Sequence, residues 1–219
     1  MPTGGLGLII MGIDPGYAIV GYGILNYENS RFSPLRYGAV TTPAGLPLER
    51  RLEMIYDELI QLQKEYRPQA MAVEQLFFQH NQTTAMSVAM ARGVVLLSAQ
   101  KCTVPFYEYT PMQIKLAVTG YGGAEKRQVM EMTKTLLHLE SVPKPDDTAD
   151  ALAVAICHAH NSGSALARVE ALRKAGEYNT GGNRATAFTG SGLKIRSSWG
   201  GHLRGAGRTL PGERKKRGG

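Results

Sequence analysis

The sequence predicts an α/β fold in which a mixed sheet of five strands is flanked by helices on both faces. Two observations predict it. Three strand-like apolar segments come first and are separated only by short turns, and after them helical and strand-like segments alternate. Neighbouring strands with short connections favour antiparallel pairing, whereas strands joined through helices favour parallel pairing.

The first three strands are predicted at Gly7 to Ile13, Ile19 to Tyr27 and Leu35 to Thr42. Pro15 and Gly16 break the chain after the first strand, and polar residues 28–30 break it after the second. Turn residues between apolar runs indicate hairpins, so these strands are expected to form an antiparallel meander.

An amphipathic helix is predicted between Pro47 and Pro68, because apolar residues recur there at steps of three and four. After it come two more strands and a helix between them: a strand from Ala70 to Glu74, a helix from Gln82 to Gln100 and a strand from Thr103 to Tyr109. Each of these two strands follows a helix. Together with the meander they complete a five-stranded sheet whose layout resembles the ribonuclease H arrangement.

Three helices are predicted in the last part of the body. Thr110 and Pro111 form a favourable N-cap and first turn for a helix to about Val118. The others are expected at 124–139 and at 146–160, separated by Pro143 and Pro145.

Positive charge is concentrated at the end of the chain. The 219 residues have a net charge of +7, but residues 1–162 hold 13 Lys and Arg against 15 Asp and Glu, while residues 163–219 hold 12 against 3. Residues 163–219 also contain 13 of the 26 glycines. We therefore predict a domain at 1–175 and a flexible basic tail at 176–219, which either attracts phosphate backbones or acts only as a solubilising extension.

The composition argues against two environments. Cys102 and Cys157 lie far apart in separate apolar elements, which is typical of reduced thiols in a cytoplasmic protein. No apolar run approaches the roughly 20 residues that a membrane-spanning helix needs, so we expect no membrane partner.

Four acidic residues are the candidate metal ligands. Asp14 and Glu74 end predicted strands, and Asp147 and Asp150 are spaced three apart at the start of a helix, on one face. Each has an ordinary alternative as a turn, rim or first-turn residue. Brought together, however, four carboxylates need hard cations such as Mg²⁺, and carboxylate-bound metal pairs indicate phosphate chemistry.

Two lysines and two phenylalanines are the remaining candidates. Lys115 and Lys126 lie on the two helices after the fifth strand, where they either hold a phosphate or are simply solvated. Phe77 and Phe78 follow Glu74 in a polar loop. Adjacent aromatic residues in a loop are candidates for stacking on bases, although core packing is the ordinary role of a Phe pair.

Taken in order, these motifs resemble the RuvC family of Holliday junction resolvases over about residues 7–160. The resemblance is carried by residues 12–16 (Gly-Ile-Asp-Pro-Gly), 21–23 (Gly-Tyr-Gly), 73–75 (Val-Glu-Gln) with Phe77 and Asn81, 91–93 (Ala-Arg-Gly), 114–115 (Ile-Lys) and 146–153 (Asp-Asp-Thr-Ala-Asp-Ala-Leu-Ala).

The resemblance implies a homodimeric endonuclease that cuts four-way DNA junctions symmetrically and leaves 5′-phosphate and 3′-hydroxyl ends. It implies two Mg²⁺ ions per subunit, with Mn²⁺ able to replace them, and a branch-migration helicase complex of the RuvA and RuvB type as partner. The residues that match the family's metal ligands are Asp14, Glu74, Asp147 and Asp150. Lys115 and Lys126 match the family's basic cleft positions, and Phe77 matches its junction-stacking residue. Phe78 and Arg92 are further predicted DNA contacts.

A homodimer needs a contact surface, and the helix predicted from Gln82 is a candidate because it is rich in small and apolar residues. The residues considered are Ala85, Ala89, Ala91 and Val95, for which core packing is the alternative. Two-fold pairing of subunits suits a junction that is itself nearly two-fold symmetric.

Two other classes of function share part of this pattern. An actin-like ATPase or sugar kinase has a similar sheet with an Asp-x-Gly turn, but it needs a second phosphate-binding half, for which 219 residues leave no room. A non-catalytic DNA-binding or scaffolding protein would use only the basic tail, and would not need the acids.

Overall fold

Five strands form one mixed sheet in the order β3-β2-β1-β4-β5 in this computed structural model, which describes residues 7–75 and 82–174. The strands are β1 Leu8–Asp14, β2 Ile19–Glu28, β3 Arg31–Thr41, β4 Ala70–Glu74 and β5 Phe106–Tyr109. β1 to β3 pair antiparallel, while β4 pairs parallel with both β1 and β5. The predicted fold class, a meander extended by two crossover strands, is confirmed.

Five helices cover the sheet in the described part of the chain. They are α1 Leu48–Tyr66, α2 Gln82–Lys101, α3 Pro111–Thr119, α4 Lys126–Leu136 and α5 Asp146–Lys174. Thr110 caps α3 as predicted: its side chain accepts a hydrogen bond from the Gln113 backbone N–H, and the Gln113 side chain accepts one from the Thr110 N–H. No helix in the described ranges combines the length and apolar character needed to cross a bilayer.

Two apolar cores lie on opposite faces of the sheet. Successive side chains of a strand point to opposite faces, so Ile10 packs with α3, α4 and α5, while Met11 and Ile13 pack with α1 and α2. All three side chains are fully buried. The central strand β1 is therefore apolar at nearly every position up to Asp14.

Helix α5 packs closely on the sheet at positions where glycines face it. A Cβ atom added at Gly12 would lie 2.1 Å from the Ala151 carbonyl oxygen, and one added at Gly21 would lie 1.9 Å from that of Asp147. Any larger side chain there would push the helix away. These glycines place the first turn of α5 against the ends of β1 and β2.

The structure moves four predicted boundaries by three residues or more. Helix α4 ends at Leu136 and not at residue 139. β3 begins at Arg31 and contains Pro34, which an edge strand tolerates because its outer N–H groups have no strand partner. β5 begins only at Phe106, because a turn at residues 102–103 and two irregular residues after it precede the strand. Helix α5 continues beyond the predicted end at His160 to Lys174.

Candidate active site

The ends of β1 and β4 bring Asp14 and Glu74 to the same edge of the sheet. The strands are neighbours and run parallel, with Ile13 opposite Val73, so the residue that follows each of these lies at the shared carboxyl end. Asp14 also pairs with Gly21 of β2. The sequence predicts a metal-ligand role for both acids, and the sheet places them side by side.

Helix α5 supplies the other two acids. It begins at Asp146, and its first turn packs on β2 at Gly21, the partner of Asp14, so Asp147 and Asp150 lie over the same sheet edge. The rest of the helix is anchored by a fully buried run from Ala151 to Cys157. All four predicted acids are therefore brought together.

Mutual repulsion between these acids is visible in their pKa values. Burial, followed by the negative charges of Glu74, Asp150 and Asp147, raises the pKa of Asp14 from 3.8 to about 7. Burial and the charge of Asp150 also raise the pKa of Glu74. Asp14 is thus electrostatically coupled to each of the other three acids, and the cluster carries more negative charge than its surroundings offset.

Two lysines face the acids. Lys115 of α3 and Lys126 of α4 line an open cleft of about 180 Å³ together with Glu74 and Asp150. Lys126 Nζ lies 2.9 Å from a carboxylate oxygen of Asp150, and this hydrogen bond raises the lysine pKa. Both predicted lysines therefore line the cleft beside two of the acids.

Asp146 belongs to the same charge network, although the sequence pattern did not single it out. A carboxylate oxygen of Asp146 lies 3.9 Å from Lys126 Nζ, and the other accepts a hydrogen bond of 2.8 Å from Lys144 Nζ. The Lys144 contact lowers the pKa of Asp146. A first-turn Asp beside two other acids gives no sequence signal of this role, since the contact to Lys126 depends on how α4 packs against α5.

Arg92 differs from the two predicted lysines because it points inward. Its Nη1 donates a hydrogen bond of 2.9 Å to the backbone carbonyl of Glu74, and its Nη2 pairs with the Glu108 carboxylate. Only 20% of the side chain is exposed, and burial lowers its pKa. Arg92 thus has one partner on β4 and one on β5. This geometry does not favour a direct contact with DNA.

Phe77 and Phe78, the predicted stacking residues, lie outside the described residues, as does Asn81. The described segments end at Gln75 and resume at Gln82. Their predicted contact with DNA stays a prediction.

The acid cluster fits a hard divalent cation by its chemistry. Its donors are carboxylate oxygens, which Mg²⁺ and Mn²⁺ prefer, and Asp14 is buried among acids whose repulsion a bound cation would relieve. Among the described residues, no group of three or more His, Cys, Asp and Glu side chains is arranged to hold a metal ion. One of the four carboxylates, that of Asp150, is instead held in an ion pair with Lys126.

Comparison with known proteins gives one family over most of the described chain. The family model described as "Crossover junction endodeoxyribonuclease RuvC" matches residues 10–158. Curated proteins of that name from Brevibacillus brevis and Alkaliphilus oremlandii are 58% and 57% identical over 150 and 153 residues. These matches cover 68% and 70% of this chain and 90% and 93% of the relatives.

Solved structures agree as well. The RuvC structure from Thermus thermophilus superimposes with a TM-score of 0.68 at 35% identity, covering 72% of this chain and 97% of that one. The T. thermophilus RuvC in complex with Holliday junction substrate gives a TM-score of 0.66 at 33% identity, covering 72% and 96%. The fold, the matched span and the level of identity agree, and this chain belongs to the RuvC family of crossover junction endodeoxyribonucleases.

Proposed function

We propose that this protein resolves four-way Holliday junctions by a pair of symmetric nicks during homologous recombination and DNA repair. The observation that carries the proposal is the set of four acids at one sheet edge, faced by two lysines across an open cleft. Family membership supports the same conclusion. So does the similarity to a RuvC whose solved structure contains junction substrate.

Asp14, Glu74, Asp147 and Asp150 would hold two divalent ions per subunit, Mg²⁺ or Mn²⁺ in its place. Bound ions of this kind activate a water molecule as nucleophile and stabilise the leaving oxygen of a phosphodiester. Asp14 is the central member of the set, because it is coupled to all three other acids. Attack of water on phosphorus breaks the bond to the 3′ oxygen and leaves a 5′-phosphate and a 3′-hydroxyl.

Lys115 and Lys126 would hold the scissile phosphate. Both line the cleft beside Glu74 and Asp150, and a cation there offsets the charge that develops on the phosphate oxygens during attack. Lys126 is paired with Asp150 and lies near Asp146. When Asp150 binds a metal ion, Lys126 would keep Asp146 as its ion-pair partner. The lysine would therefore stay at the cleft.

A homodimer would place two such sites on one junction, since a two-fold symmetric substrate needs two sites related by the same axis. The surface we propose is an exposed apolar face of α2 formed by Met86, Met90, Leu96 and Leu97, of which Met86 is 65% exposed. A Cβ atom added at Gly93, which lies within this face, would meet no atom of another described element within 4 Å. We call these residues the α2 face.

The α2 face corrects the residue choice made from the sequence. Ala91 and Val95 are fully buried against the sheet and belong to the core, whereas Ala89 is exposed. The helix itself remains the candidate. An exposed apolar row of this length on one helix is typical of a protein contact.

Three further expectations complete the proposal. The domain would span 1–175, with 176–219 as a basic tail that attracts DNA. A branch-migration complex of the RuvA and RuvB type would deliver the junction. We also place the protein in the cytoplasm, which agrees with the two free thiols of Cys102 and Cys157.

A cleavage assay with the Asp14→Asn variant tests the proposed function. The wild-type protein is expected to nick a labelled four-way junction in Mg²⁺ and not in EDTA, and to leave a linear duplex of the same sequence uncut. The variant is expected to bind the junction normally but to cut it more than about 100-fold more slowly, because losing a metal ligand costs at least as much as losing its supporting partner.

Two results would contradict the proposal. Cutting by Asp14→Asn at the wild-type rate would remove the acid cluster from the mechanism. Equal cutting of junction and linear duplex would make the protein a general nuclease.

A further inference from the structure

Among contacts between described residues, Glu74 is the one acid of the cluster whose backbone carbonyl is held by a side chain from another element. The ladder between β1 and β4 has Ile13 and Val73 as its last pair, and the residue that follows β1 is Pro15, which has no N–H to donate. The β5 side is satisfied separately, since the Gln75 N–H donates to the Tyr109 carbonyl. The Glu74 carbonyl therefore has no strand partner on β1.

Arg92 of α2 supplies the missing donor. Its Nη1 donates to the Glu74 carbonyl at 2.9 Å, while Nη2 pairs with Glu108 of β5. The guanidinium also lies over the Phe106 ring, 6.0 Å from its centre. One planar group thus joins α2 to the end of β4 and to β5, which a flexible ammonium group does less well.

We propose that Arg92 is a positioning residue that holds Glu74 in its metal-binding place from α2. This inference rests on the proposed function, because that function assigns Glu74 to the metal ligands. A ligand has to be held within about 0.5 Å of its productive position, and Glu74 ends its strand, where the sheet no longer restrains the backbone on the β1 side. The hydrogen bond from Arg92 replaces that restraint.

The connection also links two parts of the molecule. Arg92 and the α2 face lie on the same helix. A second subunit bound to the α2 face would therefore contact the helix that holds Glu74. Placement of Glu74 is in this way tied to the position of α2.

The test measures metal binding directly, with full-length protein and without DNA. Mn²⁺ binding is followed by calorimetric titration for the wild type, Arg92→Gln and Arg92→Lys. Arg92→Gln is expected to bind Mn²⁺ about 10-fold or more weakly, as for other residues that orient metal ligands. Arg92→Lys is expected to lie between the two, because one ammonium group does not hold the carbonyl and Glu108 as Arg does. Junction binding in EDTA is expected to stay within about twofold of wild type, because the proposal gives Arg92 no DNA contact.

Arg51 offers a matched control. Like Arg92, it connects a helix, α1, to the end of a strand, here β3. It donates to the Thr42 side chain at 2.8 Å and to the Thr42 carbonyl at 3.1 Å, and its guanidinium lies over the Tyr17 ring. It contacts none of the four acids in the described structure. Arg51→Gln is expected to lower the melting temperature while leaving Mn²⁺ affinity unchanged.

Unchanged Mn²⁺ affinity in every folded Arg92 variant would overturn the inference, and so would an equal loss in Arg51→Gln. Loss of junction binding in EDTA with normal Mn²⁺ affinity would instead make Arg92 a DNA contact. If Arg92→Gln does not fold, the Mn²⁺ affinity of Arg92→Lys relative to wild type decides whether the inference holds. A wild type that binds Mn²⁺ but leaves junctions uncut would reject the proposed function and not the role of Arg92.

Discussion

At the scale of single residues, Asp14 couples the charge of the site to the stability of the protein. Its pKa is raised from 3.8 to about 7 by burial and by the neighbouring acids. The folded protein therefore keeps a proton that the unfolded chain releases, so the contribution of this group to stability falls as the pH rises from about 4 to about 7.

Asp14→Asn should remove this dependence in the metal-free protein. Relative to wild type in EDTA, the variant should gain stability between pH 4 and 7, reaching on the order of 4 kcal/mol at higher pH. The measurement is chemical unfolding of both proteins across this range. His158 has the opposite effect, because burial lowers its pKa to about 4 and its contribution is lost as the pH falls from 6.5, but it cancels in the difference between the two proteins. A flat difference would contradict the coupling.

Lys126 is expected to act on the phosphate and not as a stabiliser of the fold. Lys126→Gln should lower the cleavage rate about 100-fold, as for the removal of one electrostatic interaction in other active sites. It should not weaken Mn²⁺ binding, because Lys126 competes with a cation for Asp150. Single-turnover cleavage and calorimetric titration measure the two effects.

Lys144 is the matched control for Lys126. It is 73% exposed and pairs with Asp146 on the same charge network, but it does not line the cleft. Lys144→Gln should change cleavage by less than about twofold, since exposed ion pairs contribute little. Equal losses in both variants would mean that net charge, and not position, matters.

At the scale of elements, α2 has two roles on different faces. Its buried face packs Ala91 and Val95 against the sheet, and its α2 face exposes four large apolar side chains. A helix that is apolar nearly all round is expected to be covered on more than one side. The second covering in the proposed assembly is another copy of the chain.

A charge placed on the α2 face should break the proposed dimer. Leu97→Glu is expected to weaken self-association at least about 30-fold, the effect of removing a central apolar side chain from an interface, and to turn paired nicks into single ones. Met132→Glu on α4, where the side chain is also exposed, should leave the dimer intact. Sedimentation at micromolar concentration compares the three proteins, and a wild type that sediments as a monomer would reject the dimer.

At the scale of the whole molecule, attraction to DNA has to come from local groups. Residues 176–219 hold nine Lys and Arg against two Asp and Glu, which matches the net charge of +7 of the entire chain. The rest of the chain is close to neutral. Long-range attraction to phosphate is therefore expected to depend on the tail, and cleavage chemistry on the body.

Removal of residues 176–219 should weaken junction binding without changing the cleavage rate of bound junction. The slope of log affinity against log salt should become shallower by about one for each phosphate that the tail neutralises. Binding is measured in EDTA at several salt concentrations, and the single-turnover rate serves as the internal control. An unchanged slope would leave the tail as a solubilising extension.

The sequence alone was enough to predict the fold class and the acid cluster. Strand ends, helix starts and their order are local properties, so Asp14 and Glu74 could be placed at strand ends and Asp147 and Asp150 on one helix face. Glycines in β1 and β2 were visible as motif residues. Their structural role, which is to let α5 approach the sheet within contact distance, could not be predicted from the sequence.

Only the tertiary structure decided the contacts between elements that are distant in sequence. Arg92 turns to the carbonyl of Glu74 and to Glu108, Lys126 pairs with Asp150, and α2 buries one side while exposing the other. None of these follows from local periodicity, because each depends on the direction in which a side chain leaves its element and on what packs opposite. The sequence determined which chemical groups are present and on which elements they lie, and packing determined which of those groups meet.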